Sequence, residues 1–363
     1  MSSDAPGTYA SPYLHYTHVH VPKETHVADV EVDPVSGRKI VNHYEIIDEL
    51  GRGTHGKVKL GRDLNEQDSF VAIKIVERYS KRRKLGKLAT TEDKVKKEVA
   101  ILKKARHPNV VALLEVIDDP TSKKVYIVLE WVEKGEITWR DDNMLRSQLD
   151  PELEYVPVMT MDKIRVAFRD TLLGLQYLHY QGIVHRDIKP PNLLTTNQGR
   201  VKISDFGVSY LGRPVHDGER GEELSEAETQ DLGDEAKELA KTVGTPAFYA
   251  PELCNTDVSD EIMPVTKAID VWALGITLFC MLFARTPYVD GEYVVMRQIA
   301  DEEVYLPRKR LAPPISDELH DLMRRLLTKD PQARITLEDV RQHPWVLEDL
   351  PNKAKWLEET DPS

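Results

Sequence analysis

The order of apolar and polar residues predicts a strand-rich first part of the chain and a helical second part. Five short segments have the apolar alternation and the Gly, Asn and Asp boundaries of strands: Tyr44–Ile47, Val58–Leu60, Val71–Val76, Val110–Val116 and Val125–Glu130. Apolar residues at helical spacing interrupt them over Lys94–Arg106. We therefore expect a sheet with one helix in this part of the chain.

Beyond Lys163 the apolar residues follow helical spacing. The pattern predicts helices over Ile164–Tyr180, Val271–Phe283 and Leu319–Leu327. The apolar run Val271–Ala284 has 14 residues, which is short for a membrane span and suits a buried core helix. A seam near Val132–Gly135 separates the two parts, so the expected fold is α+β with two lobes and no internal repeat.

The predicted domain is flanked by two polar segments. Residues 1–43 contain Pro6, Pro12, Pro22 and Pro34 with little periodicity, so we expect a flexible polar N-terminal tail. The N-lobe is expected over 44–131 and the C-lobe over 132–345. Residues 346–363 hold five acidic and two basic residues and are expected to form a short acidic tail.

Composition narrows the class of partner and compartment. The 363 residues carry a net charge of −12, which disfavours binding to nucleic acid or to an anionic membrane. Two cysteines, Cys254 and Cys280, are too few for a disulfide scaffold. The first ten residues have neither the basic nor the apolar region of a signal peptide. A reduced cytosolic or nuclear setting is therefore expected.

A glycine-rich loop is the first candidate binding site. Its residues are Gly51, Arg52, Gly53, Thr54, His55 and Gly56, and Leu50 and Val58 flank it. Glycines let backbone N–H groups approach phosphates closely. A dinucleotide-binding fold uses the same spacing, but it needs a helix directly after the glycines, whereas a hairpin pattern follows here. A glycine-rich turn without a ligand is the alternative.

Lys74 lies in the middle of the apolar segment Val71–Val76, where a lysine is unusual. The predicted helix downstream offers Glu98 as a partner. A lysine that contacts phosphate while a glutamate holds it in place is one use for such a pair. The alternative is a lysine whose stem is buried while its ammonium reaches water.

Two polar clusters downstream carry the strongest chemical signal. The first contains Asp187, Lys189 and Asn192, and the second begins at Asp205. Asp187 can accept the proton of a hydroxyl nucleophile, and Lys189 can neutralise charge on a migrating phosphoryl group. Asn192 and Asp205 offer hard oxygen ligands that suit Mg²⁺. These residue types fit phosphoryl transfer, which needs positioning and charge neutralisation more than covalent chemistry.

Together these motifs resemble those of a eukaryotic protein kinase over roughly residues 44–345. The glycine loop, Val71-Ala-Ile-Lys74, Glu98, His185-Arg186-Asp187, Asp205-Phe-Gly207 and Ala250-Pro-Glu252 occur in the kinase order. The resemblance implies the bilobal kinase fold, ATP and Mg²⁺ as cofactors, and a protein substrate. A pseudokinase scaffold is a rival reading that the intact motif residues oppose.

The resemblance also assigns positions around the nucleotide. It makes Leu129 the gatekeeper and Glu130–Val132 the hinge that binds adenine. Val58, Ala72 and Leu194 would sandwich the base, and Glu136 would contact the ribose. The alternative role for Val58 and Ala72 is plain core packing.

Further pairings follow from the same resemblance. Glu252 would pair with Arg334, and Asp270 would anchor the catalytic loop. An apolar spine would stack Leu102, His185 and Phe206. Ile188-Lys189-Pro190 and Gly244-Thr245-Pro246 resemble the serine/threonine class, in which Thr245 would bond with Lys189 and Asp187.

At finer detail, Gly244–Leu253 and Asp205–Ser209 resemble the calcium/calmodulin-dependent protein kinase kinases, and Gly37–Gly56 is similar to the same region of their fungal relatives. Those fungal relatives include the upstream kinases of the AMP-activated kinase family. The resemblance therefore implies phosphorylation of an activation-loop threonine of another kinase, of the calmodulin-dependent or AMP-activated type. Pro191 stands where many kinases that select an upstream arginine carry a glutamate, and the β-branched Val208 goes with a threonine acceptor. A different upstream kinase type that needs adaptor proteins is the alternative. The resemblance implies a calmodulin-binding helix after the kinase domain, but residues 346–363 do not resemble a basic amphipathic helix. Whether calmodulin is a partner of this chain therefore stays open.

Two charged segments remain as candidate regulatory regions. Residues 217–241 hold ten acidic and three basic residues, and residues 77–104 hold eleven basic and four acidic ones. In many kinases a phosphothreonine before Gly244 pairs with Arg186, and here Thr242 is the candidate. Fixed acidic side chains can replace that phosphate. The alternative for the acidic segment is a disordered loop. The basic segment is either a docking patch for an acidic partner surface or a solvated loop and helix face.

Overall fold

The computed structural model describes residues 21–53, 56–66, 69–78, 91–141, 158–212, 235–254, 265–306 and 315–361. It has a β-rich N-lobe and a helical C-lobe, which confirms the α+β bilobal prediction. Within these residues no helix is both long enough and apolar enough to cross a bilayer.

One eight-stranded sheet forms the N-lobe. Its strands are β1 (Lys23–Thr25), β2 (Val30–Val32), β3 (Lys39–Val41), β4 (Tyr44–Gly53), β5 (Gly56–Asp63), β6 (Phe70–Glu77), β7 (Leu113–Ile117) and β8 (Lys124–Glu130). They lie in the order β1-β7-β8-β6-β5-β4-β3-β2, with every pair antiparallel except β1 with β7. Helix α1 (Thr91–Lys104) follows β6 in the chain.

The described part of the predicted N-terminal tail, residues 21–43, contains three short strands of the sheet. Strands β2 and β3 extend the sheet beyond β4, while β1 crosses to the opposite edge. Val41 packs in a second core with Tyr44, and the Tyr44 hydroxyl donates a 2.8 Å hydrogen bond to the buried Glu115. Three-residue strands rich in charge give almost no periodic signal, so their partners decide their structure. Residues 1–20 lie outside the described range.

The C-lobe is built around two long helices. Helix α2 (Met161–Tyr180) begins at Thr160, whose side chain accepts from the N–H of Lys163. A short helix, α3, covers 235–239. The helices that follow are α4 (Pro251–Cys254), α5 (Ala268–Phe283), α6 (Glu292–Asp301), α7 (Asp317–Leu326), α8 (Leu337–Gln342), α9 (Pro344–Leu347) and α10 (Lys353–Glu359). Fifteen of the sixteen residues of α5 are buried, as its continuous apolar run predicts.

Short strands between α2 and α3 carry the catalytic loop. They are β9 (Ile183–Val184), β10 (Leu193–Thr195), β11 (Val201–Ile203) and β12 (Tyr210–Leu211), and they pair as β10 with β11 and β9 with β12. The polar clusters therefore sit in the connections between the two strand pairs, the first between β9 and β10 and the second between β11 and β12.

The C-terminal boundary expected at residue 345 falls inside α9. Val346 belongs to the main core. The next two acidic residues, Glu348 and Asp349, pair with Arg165 and Arg169 of α2. The first part of the predicted acidic tail, through Asp349, is therefore packed on the C-lobe.

Candidate active site

A cleft of about 400 Å³ lies between the N-lobe sheet and the catalytic loop. Most of the predicted binding residues line it: Leu50, Gly51, Arg52, Val58, Ala72, Lys74, Glu98, Leu129, Glu130, Val132, Glu136, Asn192, Leu194 and Asp205. Residues from five strands and the interlobe connection thus converge on one concave site, the usual form of a small-molecule site.

The glycine loop is the hairpin between β4 and β5. Gly53 and Gly56 face each other across the turn, and Thr54 and His55 between them lie outside the described residues. A Cβ on Gly56 would lie 2.2 Å from the carbonyl oxygen of Ile75 on the neighbouring strand. A glycine is therefore required there for strand packing, apart from any ligand.

Lys74 on β6 pairs with Glu98 on α1, as the sequence predicts. Lys74 Nζ lies 2.5 Å from Glu98 Oε1 and 3.4 Å from Asp205 Oδ1. The Lys74 side chain is only 4% exposed, so the alternative in which its ammonium reaches water is wrong. Burial alone would lower the pKa of Lys74, but the two carboxylates outweigh it and hold that pKa above its usual value.

Asp205 is a half-buried carboxylate that stays ionised. Burial would raise its pKa, but the charge of Lys74 and the N–H of Gly207 outweigh this and hold the pKa below its usual range. Asn192 Nδ2 donates to the carbonyl oxygen of Asp187 at 2.8 Å and to its carboxylate at 3.0 Å. Because Nδ2 donates both of these bonds, the amide oxygen of Asn192 is the side-chain atom that can act as a metal ligand. Asn192 and Asp205 both line the cleft and so present the hard oxygen atoms that a Mg²⁺ ion requires.

Asp187, Lys189 and Thr245 form a hydrogen-bonded group beside the cleft. Lys189 Nζ lies 2.9 Å from Asp187 Oδ2 and donates to Thr245 Oγ1 at 2.6 Å. Thr245 Oγ1 in turn donates to Asp187 Oδ1 at 3.0 Å. The predicted bonds of Thr245 to both residues are confirmed. Asn192 both bonds Asp187 and lines the cleft, so it connects this group to the cleft.

Gly244 allows the activation segment, the stretch between Asp205-Phe-Gly207 and Ala250-Pro-Glu252, to approach this group. Its φ is +100°, and a Cβ there would lie 2.5 Å from the carbonyl oxygen of Arg186. Any other residue at this position would be strained and would clash with the catalytic loop. Thr245 therefore reaches Asp187 because the residue before it has no side chain.

Asp270 anchors the catalytic loop from α5, as predicted. Its Oδ2 accepts from the N–H of His185 at 2.8 Å, and its Oδ1 accepts from the N–H of Arg186 at 2.9 Å. His179 Nε2 is 2.9 Å from Oδ2. Burial would raise the pKa of Asp270, but His179 and these N–H groups outweigh it and hold the pKa below its usual range.

The other predicted pairings are also present. Arg334 makes two hydrogen bonds to Glu252, at 2.7 and 2.8 Å, with both side chains fully buried. The rings of His185 and Phe206 meet edge to face at 5.2 Å. Leu102 lies in the same core cluster.

The structure does not bring Thr242 to Arg186. Thr242 is exposed, and the Arg186 guanidinium instead donates to two backbone carbonyls, of Val208 at 2.6 Å and of Glu238 at 3.0 Å. Residues 217–234 of the acidic segment and 79–90 of the basic one lie outside the described range.

Sequence reasoning missed several residues that line the cleft. Val111, Trp131 and Ser204 are among them, although Trp131 falls inside the predicted hinge. It also missed that the Glu130 carboxylate accepts from the N–H of Ala112 at 2.7 Å and pairs with Lys202 at 2.9 Å. A charged residue at the end of an apolar strand was the available signal. These two contacts hold the hinge in place through the side chain of Glu130.

Comparison with known proteins identifies the kind of domain. The family model for the protein kinase domain matches residues 44–346. The chain is 50% identical over 344 residues to the serine/threonine-protein kinase ssp1 of Schizosaccharomyces pombe, which covers 94% of this chain and 48% of that protein.

Two further relatives carry more specific names. The SNF1-activating kinase 1 of Saccharomyces cerevisiae is 40% identical over 353 residues, covering 89% of this chain and 30% of that protein. A calcium/calmodulin-dependent protein kinase kinase of Caenorhabditis elegans is 37% identical over 328 residues, covering 85% and 53%. The chain thus spans 30% to 53% of the length of these curated relatives.

Proposed function

Because the chain belongs to the protein kinase family, and to its serine/threonine class, we propose that it transfers the γ-phosphoryl group of ATP to an activation-loop threonine of another protein kinase. One observation carries the catalytic part of the proposal. Asp187, Lys189 and Thr245 are hydrogen-bonded to one another, and Asn192 joins them to a cleft that also holds the Lys74–Glu98 pair. Phosphoryl transfer requires this combination of positioning and charge.

In the proposed reaction the substrate hydroxyl oxygen forms a bond to the γ-phosphorus, while the bond from that phosphorus to the β–γ bridging oxygen breaks. Asp187 Oδ2 accepts the hydroxyl proton, and ADP leaves with the bridging oxygen. Lys189, 2.9 Å from Asp187 Oδ2, stabilises the charge that spreads over the transferred phosphoryl oxygens. Thr245 holds Lys189 and Asp187 at fixed separation, which keeps the acceptor in reach of the carboxylate.

The nucleotide would be held by the described cleft residues. Lys74, kept charged by Glu98 and Asp205, binds phosphate oxygens, and the backbone of the hinge Glu130–Val132 binds the adenine edge. Val58, Ala72 and Leu194 would enclose the base, and Glu136, which lines the same cleft, would contact the ribose hydroxyls. Mg²⁺, when bound, would neutralise phosphate charge, and Asn192 and Asp205 are the residues that would hold it.

The choice of substrate rests on the relatives and on two residues. One relative is named as activating the kinase SNF1 and another as a kinase kinase. Pro191 lines the cleft without offering a charge for an upstream arginine. Val208 follows the Asp205-Phe-Gly207 motif and accepts the Arg186 guanidinium on its carbonyl. We therefore expect a threonine acceptor without strong selection for arginine three residues before it.

Matched peptides test the substrate choice. We expect a threonine peptide to be phosphorylated faster than its serine counterpart, and an arginine at the third upstream position to change the rate little. Equal rates for Thr and Ser, or a strong arginine preference in a peptide library, would contradict this part of the proposal. The variant Asp187→Asn, which removes the proton acceptor, serves as the inactive control.

Adding calmodulin and Ca²⁺ to the same assay tests whether calmodulin is a partner of this chain. An unchanged rate is expected if this chain works without calmodulin, and a higher rate assigns it a calmodulin response. A chain inactive until adaptor proteins are added would favour the other upstream kinase type.

A further inference from the structure

The end of the described acidic segment carries a carboxylate that faces a group of cations next to α1. Glu238, on the short helix α3, lies with its Oε1 3.9 Å from Lys97 Nζ and forms an ion pair with Lys241. Its own backbone carbonyl accepts the 3.0 Å hydrogen bond from Arg186. Glu238 therefore contacts α1, the catalytic loop and the activation segment at once.

The position of Lys97 gives this contact its importance. Lys97 precedes Glu98, so the same turn of α1 is held by Glu98 on one side and by Lys97 on another. Lys97 Nζ also lies 5.3 Å from the centre of the Tyr210 ring on β12. A displacement of this turn would move Glu98 away from Lys74.

The local charges show why a carboxylate is needed here. Lys97, Lys241 and Arg186 bring three positive charges together, and Lys97 is partly buried. Burial lowers the pKa of Lys97, the charges of Arg186 and Lys241 lower it further, and Glu238 acts in the opposite direction. Without the negative charge of Glu238, these cations would repel one another across the contact between α1 and the activation segment.

We infer that Glu238 is a positioning residue, whose carboxylate holds α1 in its Lys74-binding position and makes an activation-segment phosphate unnecessary for this. Thr242 is exposed, while Glu238 already occupies the electrostatic position beside Arg186 and Lys97. The inference rests on the proposed kinase activity and concerns its regulation.

The expected effect is on ATP binding more than on the protein acceptor. Glu238→Gln keeps the backbone bond to Arg186 and removes only the charge, so the KM for ATP should rise by about fivefold, as for a half-exposed ion pair. Glu238→Asp should recover most of this loss. Glu235→Gln is the matched control, because Glu235 lies one turn away on α3 beside Gly212 and should leave the KM for ATP unchanged.

Two further measurements separate positioning from simple stability. High salt should bring the wild-type KM toward that of Glu238→Gln, because the pair is partly exposed and ions screen it. Lys97→Gln should raise the KM similarly, and the double variant should be no worse than either single one. If Glu238→Gln does not fold, Lys97→Gln carries the test alone.

Activity before and after phosphatase treatment decides the phosphate question. Phosphatase-treated wild-type protein and Thr242→Ala should retain their activity. The inference is wrong if either loses it, if Glu238→Gln equals wild type, or if the two single effects add. A wild-type chain with no kinase activity would instead overturn the proposed function.

Discussion

The backbone N–H of Arg186 donates a 2.9 Å hydrogen bond to the Asp270 carboxylate, and Arg186 is held there at a φ of +67°. Few residues other than glycine adopt this left-handed conformation, which costs on the order of 1–3 kcal/mol. Asp270 is fully buried in α5 and offsets that cost by accepting two successive N–H groups. The shape of the catalytic loop therefore depends on a side chain of the C-lobe core.

Replacing Asp270 by asparagine tests this relationship. Asn keeps one acceptor but turns an amide donor toward an N–H group and removes the charge beside His179, so the free energy of unfolding should fall by about 2–4 kcal/mol. Urea unfolding measures it. The exposed Asp290→Asn change serves as a control and should stay within about 0.5 kcal/mol of wild type. A stable, fully active Asp270→Asn protein would disprove the anchoring role.

Lys74→Met should lower kcat/KM for ATP by about 100-fold or more, because it removes a preorganised charge from the phosphate site. Initial rates at varied ATP concentration measure the effect. Lys59→Met is the matched control, because Lys59 lies on the adjacent strand and pairs with Glu49 at 2.8 Å on the surface. Equal losses in both variants would show that the effect is not specific to the cleft.

Thr245→Ala should lower kcat by about tenfold to 100-fold, because Asp187 and Lys189 then lose the hydroxyl that fixes their separation. Thr245→Ser keeps the hydroxyl and should remain close to wild type. Steady-state kinetics with one peptide substrate measures both variants. Similar losses for Ala and Ser would assign Thr245 a packing role instead.

His107 makes the stability of the lobes depend on pH. Its ring is buried, stacks on Tyr177 at 4.9 Å and accepts from the N–H of Asn109 at 3.1 Å. Burial lowers the pKa of His107 to about 3. The unfolded chain binds a proton near pH 6.5 while the folded one does not, so stability is lost as the pH falls below 6.5.

The contribution of His107 lowers the free energy of unfolding by about 2 kcal/mol between pH 6.5 and pH 5, since each pH unit is worth about 1.4 kcal/mol. His107→Gln does not titrate, so its unfolding free energy should fall less between pH 7.5 and 5 than that of wild type. Urea unfolding at both values gives the difference, in which the contributions of the other histidines cancel. Equal changes in the two proteins would contradict a neutral buried His107.

Much of the site could be predicted because its chemistry requires unusual residues in apolar surroundings. A lysine inside the strand Val71–Val76 needs a carboxylate partner, and Glu98 lies at 2.5 Å. The resemblance of the motif order to that of protein kinases then predicted the partners of Asp187, Asp270 and Glu252. Helix α2 differs from its expected range by only three residues at its start.

The remaining features depend on contacts that leave no local pattern. Strand β1 forms because β7 offers an open edge and Glu115 accepts from both Thr25 and Tyr44. The Glu238–Lys97 contact joins residues more than 140 positions apart, with an acidic segment that gives no periodicity. Long-range pairing of this kind is decided by tertiary structure and not by local sequence.

Mapping the phosphorylated residue on an intact substrate tests the central proposal most directly. The chain is incubated with ATP, Mg²⁺ and a catalytically inactive kinase of the AMP-activated type, with Asp187→Asn as the inactive control. The proposal predicts one phosphate on the activation-loop threonine of the substrate, and none when that threonine is replaced by alanine. Phosphate elsewhere, or no transfer while a generic peptide is phosphorylated, would contradict it.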